Sequence, residues 1–379
     1  LEGLSTDRQR KFLEKVLRYW QTMLVIDEST RIKTPGARRT KAAITLGKRA
    51  DYRRILTGSP VTQSPMDLYS QFKFLDPEIL GYHQFTPFKH HFGEWEARST
   101  RYNKRGWYEA LIQYKNLDEL RGKVAPYSFR ATKADCLDLP PKIYETREVE
   151  MGPKQKQVYK SLLENGVAAL GVDGDSPEEA LWAALNNQSD VVTARNALTL
   201  QLRLQQTLGN WMKTEEGQLI QIEPTNRRLE SLKEVLTETS GQVLIWAWFR
   251  HELDEIDAAL SKEGETVVRY HGGVSDDERQ QAQETFQRGE ARIFLGQPRA
   301  GGLGLNLTNA TTVVYYNNAY SLEVRQQSED RAHRIGTTDS VTYVDLQVPG
   351  TLDVKVVESL VERAATAAHV VDGTPLPEE

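Results

Sequence analysis

From Gln242 onward the chain alternates short apolar runs with helical patterns, and that rhythm restricts the fold more than any other feature. Val243–Phe249 (VLIWAWF) precedes a helical pattern over Glu252–Leu260, a strand over Thr266–Tyr270, a helix over Asp276–Arg288 and a strand over Ala291–Leu295. His271-Gly272-Gly273 is a turn, and Thr311–Tyr316 and Val341–Leu346 read as two further strands. Strands separated by helices at this spacing predict a parallel, doubly wound α/β sheet, because parallel neighbours need a crossover and a helix usually supplies it.

The upstream half is punctuated differently. Met23–Ile26 is a short apolar run ending in Asp27-Glu28-Ser29-Thr30. Two carboxylates at the C-terminal tip of a strand stand where α/β sheets place ligand chemistry. There Asp27 can hold Mg2+ through water and Glu28 can polarise an attacking water; an acidic pair alone can equally cap a helix. Arg54–Pro60 (RILTGSP) reads as a strand turned sharply by Thr57-Gly58-Ser59-Pro60, with glycine for backbone freedom and proline as a stop. Gln63–Lys123 is rich in aromatics and helix formers, divided into short helices by Pro65, Pro77 and Pro87. Leu139-Pro140-Pro141-Lys142 forbids a helix through it. Pro153 opens an amphipathic pattern over Lys154–Leu163, Gly171–Glu179 is a loop signal, and helical periodicity resumes through Leu198, Leu202 and Leu208 to end near Gly209. Leu352–Arg363 reads as a closing helix, with a frayed tail after it.

With 379 residues there is room for two or three domains. Charged residues at 27% and hydrophobic ones at 39% describe an ordinary globular chain. The longest apolar run, Val243–Phe249, is far too short to span a bilayer, and no signal-peptide pattern is present. The single Cys136 cannot close an internal disulfide. No Cys or His cluster has metal-ligand spacing, and the adjacent His90 and His91 diverge on helix or strand. A net charge of −5 argues against a uniformly basic nucleic-acid coat. Locally the balance reverses, since residues 31–54 hold nine Lys/Arg against the single acid Asp51. Arg98, Arg101, Lys104 and Arg105 lie among Tyr102, Trp107 and Tyr108, a mixture that can follow a phosphate backbone or form solvated helix faces with buried rings.

Two segments carry the chemistry downstream. In Pro298–Leu307 (PRAGGLGLNL), Gly301, Gly302 and Gly304 let a loop approach phosphate or ribose closely. They do not open a long helix, which disfavours a dinucleotide site. Gln327–Gly336 reads QSEDRAHRIG. On a helix Arg331 and Arg334 would project from one face, with Asp330 and Gln327 on the same turn. Two guanidiniums held in that way can grip the spread charge of a transferring phosphoryl group; the blander alternative is a solvated charged face.

Together these residues resemble a known family. QxxDRxHRIG is similar to the last ATPase motif of the Swi/Snf-type translocases of helicase superfamily 2. Asp27–Lys33 resembles the DEAH-R-[IL]-K box, with Ser29-Thr30 in place of Ala-His, and RILTGSP resembles the LTGTP motif. PRAGGLGLNL resembles S-T-x-A-G-G-x-G-[IL]-N-L, although Gly296-Gln297-Pro298 departs from its Ser-Thr start. Phe129-Arg130 with Lys133, followed by Leu139-Pro140-Pro141-Lys142, is similar to the end of the first lobe and its linker. The likeness runs from Leu24 to Leu360.

The resemblance implies an α/β protein with two RecA-like lobes, each built on a parallel sheet, plus inserted helical protrusions. Residues 1–138 would be the C-terminal part of the first lobe with a helical protrusion near 63–125, residues 139–152 a linker, and 153–225 a helical insertion. Residues 226–350 would form the second lobe, and 351–379 a closing helix and tail. ATP and Mg2+ would be bound between the lobes, with Asp27, Glu28, Arg331 and Arg334 catalytic and Asp27 holding the metal. Gly302, Gly304, Asn306, Gln327 and Asp330 would contact the nucleotide, and Arg31, Lys33, Thr57, Gly58, Ser59 and Arg299 the DNA.

The chain starts at Leu1 and contains no GxxxxGK[ST] loop, so it reads as the downstream part of a longer protein and inactive alone. Its plain ending resembles compact phage or bacterial members. The expected function is an ATP-dependent motor on double-stranded DNA, monomeric, away from membranes, in the cytoplasm or nucleoid. Two alternatives stay open: a catalytically incomplete DNA-binding or regulatory module, and an RNA helicase of the same superfamily, which the DRxHRIG spacing disfavours against QxxGRxGR.

Overall fold

A computed structural model describes residues 2–99, 107–170, 176–185, 191–214, 216–300 and 305–376. The chain divides into two compact units: Leu1–Glu96 with Leu111–Arg130 and Leu360–Glu379, and Ala97–Ala110 with Ala131–Ser359.

The first unit opens with α1 (Asp7–Tyr19), β1 (Met23–Asp27), α2 (Arg38–Gly47) and β2 (Tyr52–Leu56). The two strands pair in parallel from Met23↔Tyr52 to Asp27↔Leu56. Strand alternation sends Leu24, Ile26 and Ile55 toward one small core with Ile32, Ala43 and Phe74, while Met23, Val25, Tyr52 and Leu56 are exposed. A second core gathers α3 (Leu68–Leu75), α4 (Pro77–Leu80), α5 (Phe85–Phe92) and α6 (Leu117–Val124). Its aromatic rings interlock, with Phe88 and Phe92 centroids 4.8 Å apart. The helices are short because proline and caps interrupt them: Pro77 opens α4, and the Asp76 side chain accepts from Glu78 N at 2.9 Å. Within the stretch read as a helical protrusion, β3 (Gly93–Ser99) and β4 (Trp107–Tyr114) form a two-stranded sheet. Arg98 and Trp107 therefore lie on strands rather than on a solvated helix; Arg101, Tyr102, Lys104 and Arg105 fall outside the described residues.

The second unit continues with α7 (Lys133–Cys136), β5 (Lys142–Glu148), α8 (Pro153–Leu170), α9 (Pro177–Leu185), α10 (Val191–Leu208), β6 (Trp211–Lys213), β7 (Leu219–Gln221) and α11 (Arg227–Glu238). Then follow β8 (Gln242–Trp246), α12 (Arg250–Lys262), β9 (Val267–Tyr270), α13 (Asp276–Gln287), β10 (Ile293–Gly296), β11 (Ala310–Tyr315), α14 (Leu322–Glu329), β12 (Val341–Gln347) and the start of α15 (Leu352–Asp372), whose residues from Leu360 on belong to the first unit. Six strands form one sheet in the order β5-β12-β11-β8-β10-β9, every neighbouring pair parallel. The α/β class with a parallel sheet is thus as expected. Val243, Leu244, Ile245 and Trp246 of β8 and Ile293, Phe294 and Leu295 of β10 are fully buried, which is why central parallel strands read as unbroken apolar runs.

Three expectations are corrected. The segment 139–152 is not only a linker: Lys142–Glu148 pairs along its whole length with Val341–Gln347 as an edge strand. Its sequence, KIYETRE, is polar because most of an edge strand is exposed. The insertion 153–225 is not helical throughout: its helices end at Leu208, near the expected Gly209, and an antiparallel β6–β7 hairpin follows. Finally, α15 runs to Asp372, so residues 364–372, expected as part of a frayed tail, are helical. The alanines there favour helix, and in the first unit Ala367, Val370 and Val371 pack into the aromatic core.

Two buried charged groups organise the second unit. Arg228 on α11 ion-pairs with Asp353 and donates to the Tyr316 carbonyl at 2.5 Å, and both ionic side chains are almost fully enclosed. Glu252, fully buried, closes a capping box on α12 by accepting from Phe249 N at 3.1 Å, and it takes Asn317 Nδ2 at 2.7 and 2.8 Å on its two oxygens. Burial pushes its carboxyl up to about 7.

Removing Arg228 strands a buried carboxylate, so Arg228→Ala is expected to lower the unfolding free energy by about 3–5 kcal/mol, read from urea titration. For Glu252 the folded carboxyl keeps its proton above the pH at which the unfolded one loses it, so its contribution to stability declines as pH climbs from 4.5 to about 7. The stability difference between wild type and Glu252→Gln should therefore move toward the variant over that interval, by up to about 1.4 kcal/mol per pH unit.

Candidate functional site

Within the first unit, the β1–β2 register places Asp27 opposite Leu56, so the acidic pair and the Thr57-Gly58-Ser59-Pro60 turn leave the same C-terminal edge side by side. Asp27 is exposed and its carboxylate accepts from Glu28 N at 2.9 Å. Glu28 sits in the left-handed region (φ 51°, ψ 59°), a conformation costing a non-glycine residue about 1–2 kcal/mol. Strain of this kind concentrates at functional sites. It turns the chain into a tight 3-10 helix over Ser29–Ile32, anchored where Thr40 Oγ1 donates to the Ile32 carbonyl at 3.2 Å.

The substituted pair Ser29-Thr30 is buried, and the Ser29 hydroxyl donates to Gln71 Oε1 at 2.7 Å. Gln71 Nε2 in turn donates to the Pro60 carbonyl at 2.7 Å and the Asp67 carbonyl at 2.9 Å. One glutamine on α3 therefore fastens the acidic box to the neighbouring turn. Asp67 Oδ2 accepts from Thr62 N, Thr62 Oγ1 and Gln63 N at 3.0, 3.1 and 2.8 Å. Lys33 completes this clamp, with Nζ 2.5 Å from Thr62 Oγ1 and 3.6 Å from Asp67 Oδ2. The ammonium of Lys33, expected to meet DNA, here lies against an almost buried carboxylate. Arg31 is exposed. Ser59 N donates to Thr57 Oγ1 at 3.2 Å, shaping the turn, and a Cβ on Gly58 would meet open space.

In the second unit α14 ends at Glu329, capped by Asp330. Arg331 and Arg334 therefore lie in the turn beyond the helix, and the expected shared helix face is corrected. The turn is defined by its neighbours: Ala332 and His333 are buried, Thr337 Oγ1 accepts from Arg334 N at 3.1 Å, and Gly336 adopts φ 104°, which an L side chain resists. Leu307 N donates to the Arg331 carbonyl and Arg334 Nη1 to the Leu305 carbonyl, each at 3.0 Å. The arginine turn is thereby sewn to the residues just after the glycine run. Gly302 and Gly304 themselves lie outside the described residues. Asn306 accepts on its carbonyl from Gln287 Nε2 at 2.8 Å, and its buried Oδ1 has no partner among the described residues. Burial, and then the like charge of Arg334, push the Arg331 guanidinium below its usual range. An anion beside them would relieve that repulsion.

The Asp330 side chain is about half exposed, and its carboxylate accepts from Lys133 Nζ at 2.7 Å, with Lys142 Nζ 3.9 Å away. Gln327 is exposed on α14. Arg299 is exposed past the end of β10, its guanidinium 4.9 Å from the centre of the Trp248 ring beyond β8, a cation–π arrangement. Glu329 collects Lys142 Nζ at 2.7 Å, Tyr144 OH at 2.9 Å and Arg325 Nε at 2.7 Å. Burial alone would raise its carboxyl, but Lys142 and Arg325 outweigh it and hold it below the usual range.

Sequence reasoning passed over Asp67, Gln71, Trp248, Lys142 and Tyr144. Polar residues on a helix such as α3 look like solvated surface, and only burial marks them. Among the described residues no group of three or more His, Cys, Asp or Glu converges to hold a metal. A single exposed carboxylate such as Asp27 suits magnesium held mainly by water. No helix among the described residues is long and apolar enough to cross a membrane.

Residues 4–211 match the SNF2-related domain and residues 227–336 the Helicase conserved C-terminal domain. The chain is 28% identical over 363 residues to the ISWI chromatin-remodeling complex ATPase CHR11 of Arabidopsis thaliana, covering 94% of this chain and 32% of that protein. It is 27% identical over 383 residues to the ATP-dependent DNA helicase DDM1 of the same plant, covering 97% and 49%. An uncharacterized ATP-dependent helicase of Mycoplasma pneumoniae is 26% identical over 343 residues, covering 90% and 30%. Among solved structures, the Sulfolobus solfataricus SWI2/SNF2 ATPase core in complex with dsDNA is similar at 25% identity and a TM-score of 0.44, covering 98% of this chain and 72% of that one. The chain thus spans about a third to a half of these curated relatives. Plant and bacterial proteins stand side by side among them, which lends no support to a specifically phage or bacterial form. With a single family model reaching from residue 4 to 211 over the acidic box, its neighbouring turn and the helices between, the chain belongs to the SNF2-related family.

Proposed function

We propose that this chain carries out ATP hydrolysis coupled to movement on, or remodelling of, double-stranded DNA. The observation that carries the reading is the arginine turn, where Arg334 Nη1 donates to the Leu305 carbonyl, the Arg331 carbonyl accepts from Leu307 N, and the charge of Arg334 adds to burial in lowering the Arg331 guanidinium. A preorganised pair of this kind stabilises charge that develops on a phosphoryl group. The acidic box of the first unit supports the same chemistry. Asp27 would hold magnesium through water, and the metal would neutralise phosphate oxygens. Glu28, set in its strained conformation next to Asp27, would orient and deprotonate the attacking water.

DNA contacts are assigned to Arg31, Thr57, Gly58, Ser59 and Arg299. All but Arg299 lie on the first unit, next to the box or in the turn clamped to it through Gln71, so a change at the acidic pair has a short route to a DNA-facing turn. Arg299, over Trp248 in the second unit, is a planar cation suited to phosphate. Residues 1–138 and 226–350 are proposed as the two RecA-like lobes, with the intervening helices α8–α10 as an insertion. Relatives named as a chromatin-remodeling complex ATPase and as an ATP-dependent DNA helicase support duplex DNA rather than RNA as the track.

Arg334→Ala is expected to lower the ATP turnover of the full-length protein by about 10³-fold or more while circular dichroism and melting stay as in wild type; near-normal turnover would remove the assignment. Steady-state hydrolysis should rise more with duplex DNA than with single strands or RNA. A forked duplex should remain unseparated, and efficient strand separation would point to a conventional helicase instead.

A further inference from the structure

Lys133 lies 197 positions before Asp330, yet its ammonium donates to the Asp330 carboxylate at 2.7 Å and to the His333 carbonyl at 2.7 Å. Those two acceptors stand on either side of Arg331. The His333 ring, between the two arginines and itself buried, places Nε2 2.7 Å from the Pro140 carbonyl. A carbonyl only accepts, so Nε2 carries the proton and donates. Nδ1 is buried with no partner among the described residues, leaving Pro140 as the described polar anchor of that ring. Pro140 and Pro141 stiffen the segment that presents this carbonyl. Two residues further on, Lys142 reaches Glu329, the last residue of α14.

The arginine turn is therefore held on two flanks. One is the stretch Leu305–Leu307; the other is the strap 133–142. Stability alone does not account for the strap. The Lys133 and Asp330 side chains are 40% and 46% exposed, and ion pairs that open to water contribute about 0–1 kcal/mol. What Lys133 does contribute is geometry, since one ammonium bonds a helix terminus and a turn carbonyl at once and limits where Arg331 can lie.

We propose that Lys133 and His333 are positioning residues that hold Arg331 and Arg334 in register for the reacting phosphate, so that the strap 133–142 sets the catalytic competence of the arginine turn. This rests on the arginine pair acting in ATP hydrolysis. A displacement of about 1 Å in a group that stabilises the transition state can cost up to roughly 10²-fold in rate.

The test is steady-state ATP hydrolysis by the full-length protein with saturating duplex DNA, on five variants beside wild type. Lys133→Ala is expected to lower kcat about tenfold or more, leave KM for ATP within about threefold, and keep the melting temperature of wild type. Lys133→Arg, which can still donate to both acceptors, should recover most of that loss. His333→Gln, which keeps a donor within reach of Pro140, should turn over faster than His333→Leu. A Lys133→Ala protein with wild-type kcat, or one whose loss tracks a fall in melting temperature and is not recovered by arginine, overturns the positioning role. Arg334→Ala measured in parallel separates the two layers. If it is inactive while Lys133→Ala is normal, the strap proposal alone fails; if it is itself active, the functional reading beneath the proposal fails.

Discussion

The carboxylate of Glu329 is the point on which the second unit's functional end depends. Buried at the C-terminus of α14, it receives Lys142 and Tyr144 from β5 and Arg325 from one helical turn back. Arg325 continues to Asp345 on β12 and to Asn318, and its guanidinium lies 3.6 Å from the Tyr315 ring centre on β11. A buried charge is tolerable only when its hydrogen-bonding capacity is filled and its counter-charges are close. Here two donors come from β5 and one from α14 itself, and Arg325 carries the network on to β11 and β12, so the requirement to satisfy one carboxylate fixes β5, β11, β12 and α14 relative to one another. The arginine turn begins at the next residue and inherits that placement.

A corresponding device operates in the first unit. Asp67 and Gln71, one helical turn apart at the start of α3, satisfy the backbone of residues 60–63 and the side chains of Ser29 and Lys33. The acidic box and the adjacent turn are thus anchored to one rigid helix rather than left as two independent loops. In both units the groups assigned to chemistry lie at strand or helix termini, and buried polar residues with no chemical role of their own hold them there. Lys33 and Asp330, both within functional motifs, each also have an internal partner in the structure. A charged residue within a functional motif can serve either end, and burial decides which.

Much of the architecture was legible in advance. Val243–Trp246, Ile293–Leu295 and Val313–Tyr315 are apolar without interruption because both faces of a central parallel strand are covered, and that pattern survives in one dimension. The acidic pair, the RILTGSP turn and the arginine motif could be found because each joins chemistry-bearing residues at fixed local spacing. Lys142–Glu148 escaped because an exposed edge strand alternates polar residues and resembles a linker. The end of α15 escaped because its stabilising partners, the aromatic core of α3, α5 and α6, are hundreds of positions away in sequence.

What the sequence by itself determined is the class of the fold, the alternation of strands and helices from Val243 onward and the choice of candidate catalytic residues. All of these depend on local periodicity and on short motifs. Tertiary structure alone decided that Arg331 and Arg334 stand in a turn instead of on a helix. It also decided that Asp330 belongs to Lys133, and that Lys33 closes a clamp on Asp67. The physical reason is range: burial, salt bridges and the capture of a carbonyl by a distant ammonium depend on which segments the folded chain brings within about 3 Å, a distance that sequence spacing does not encode.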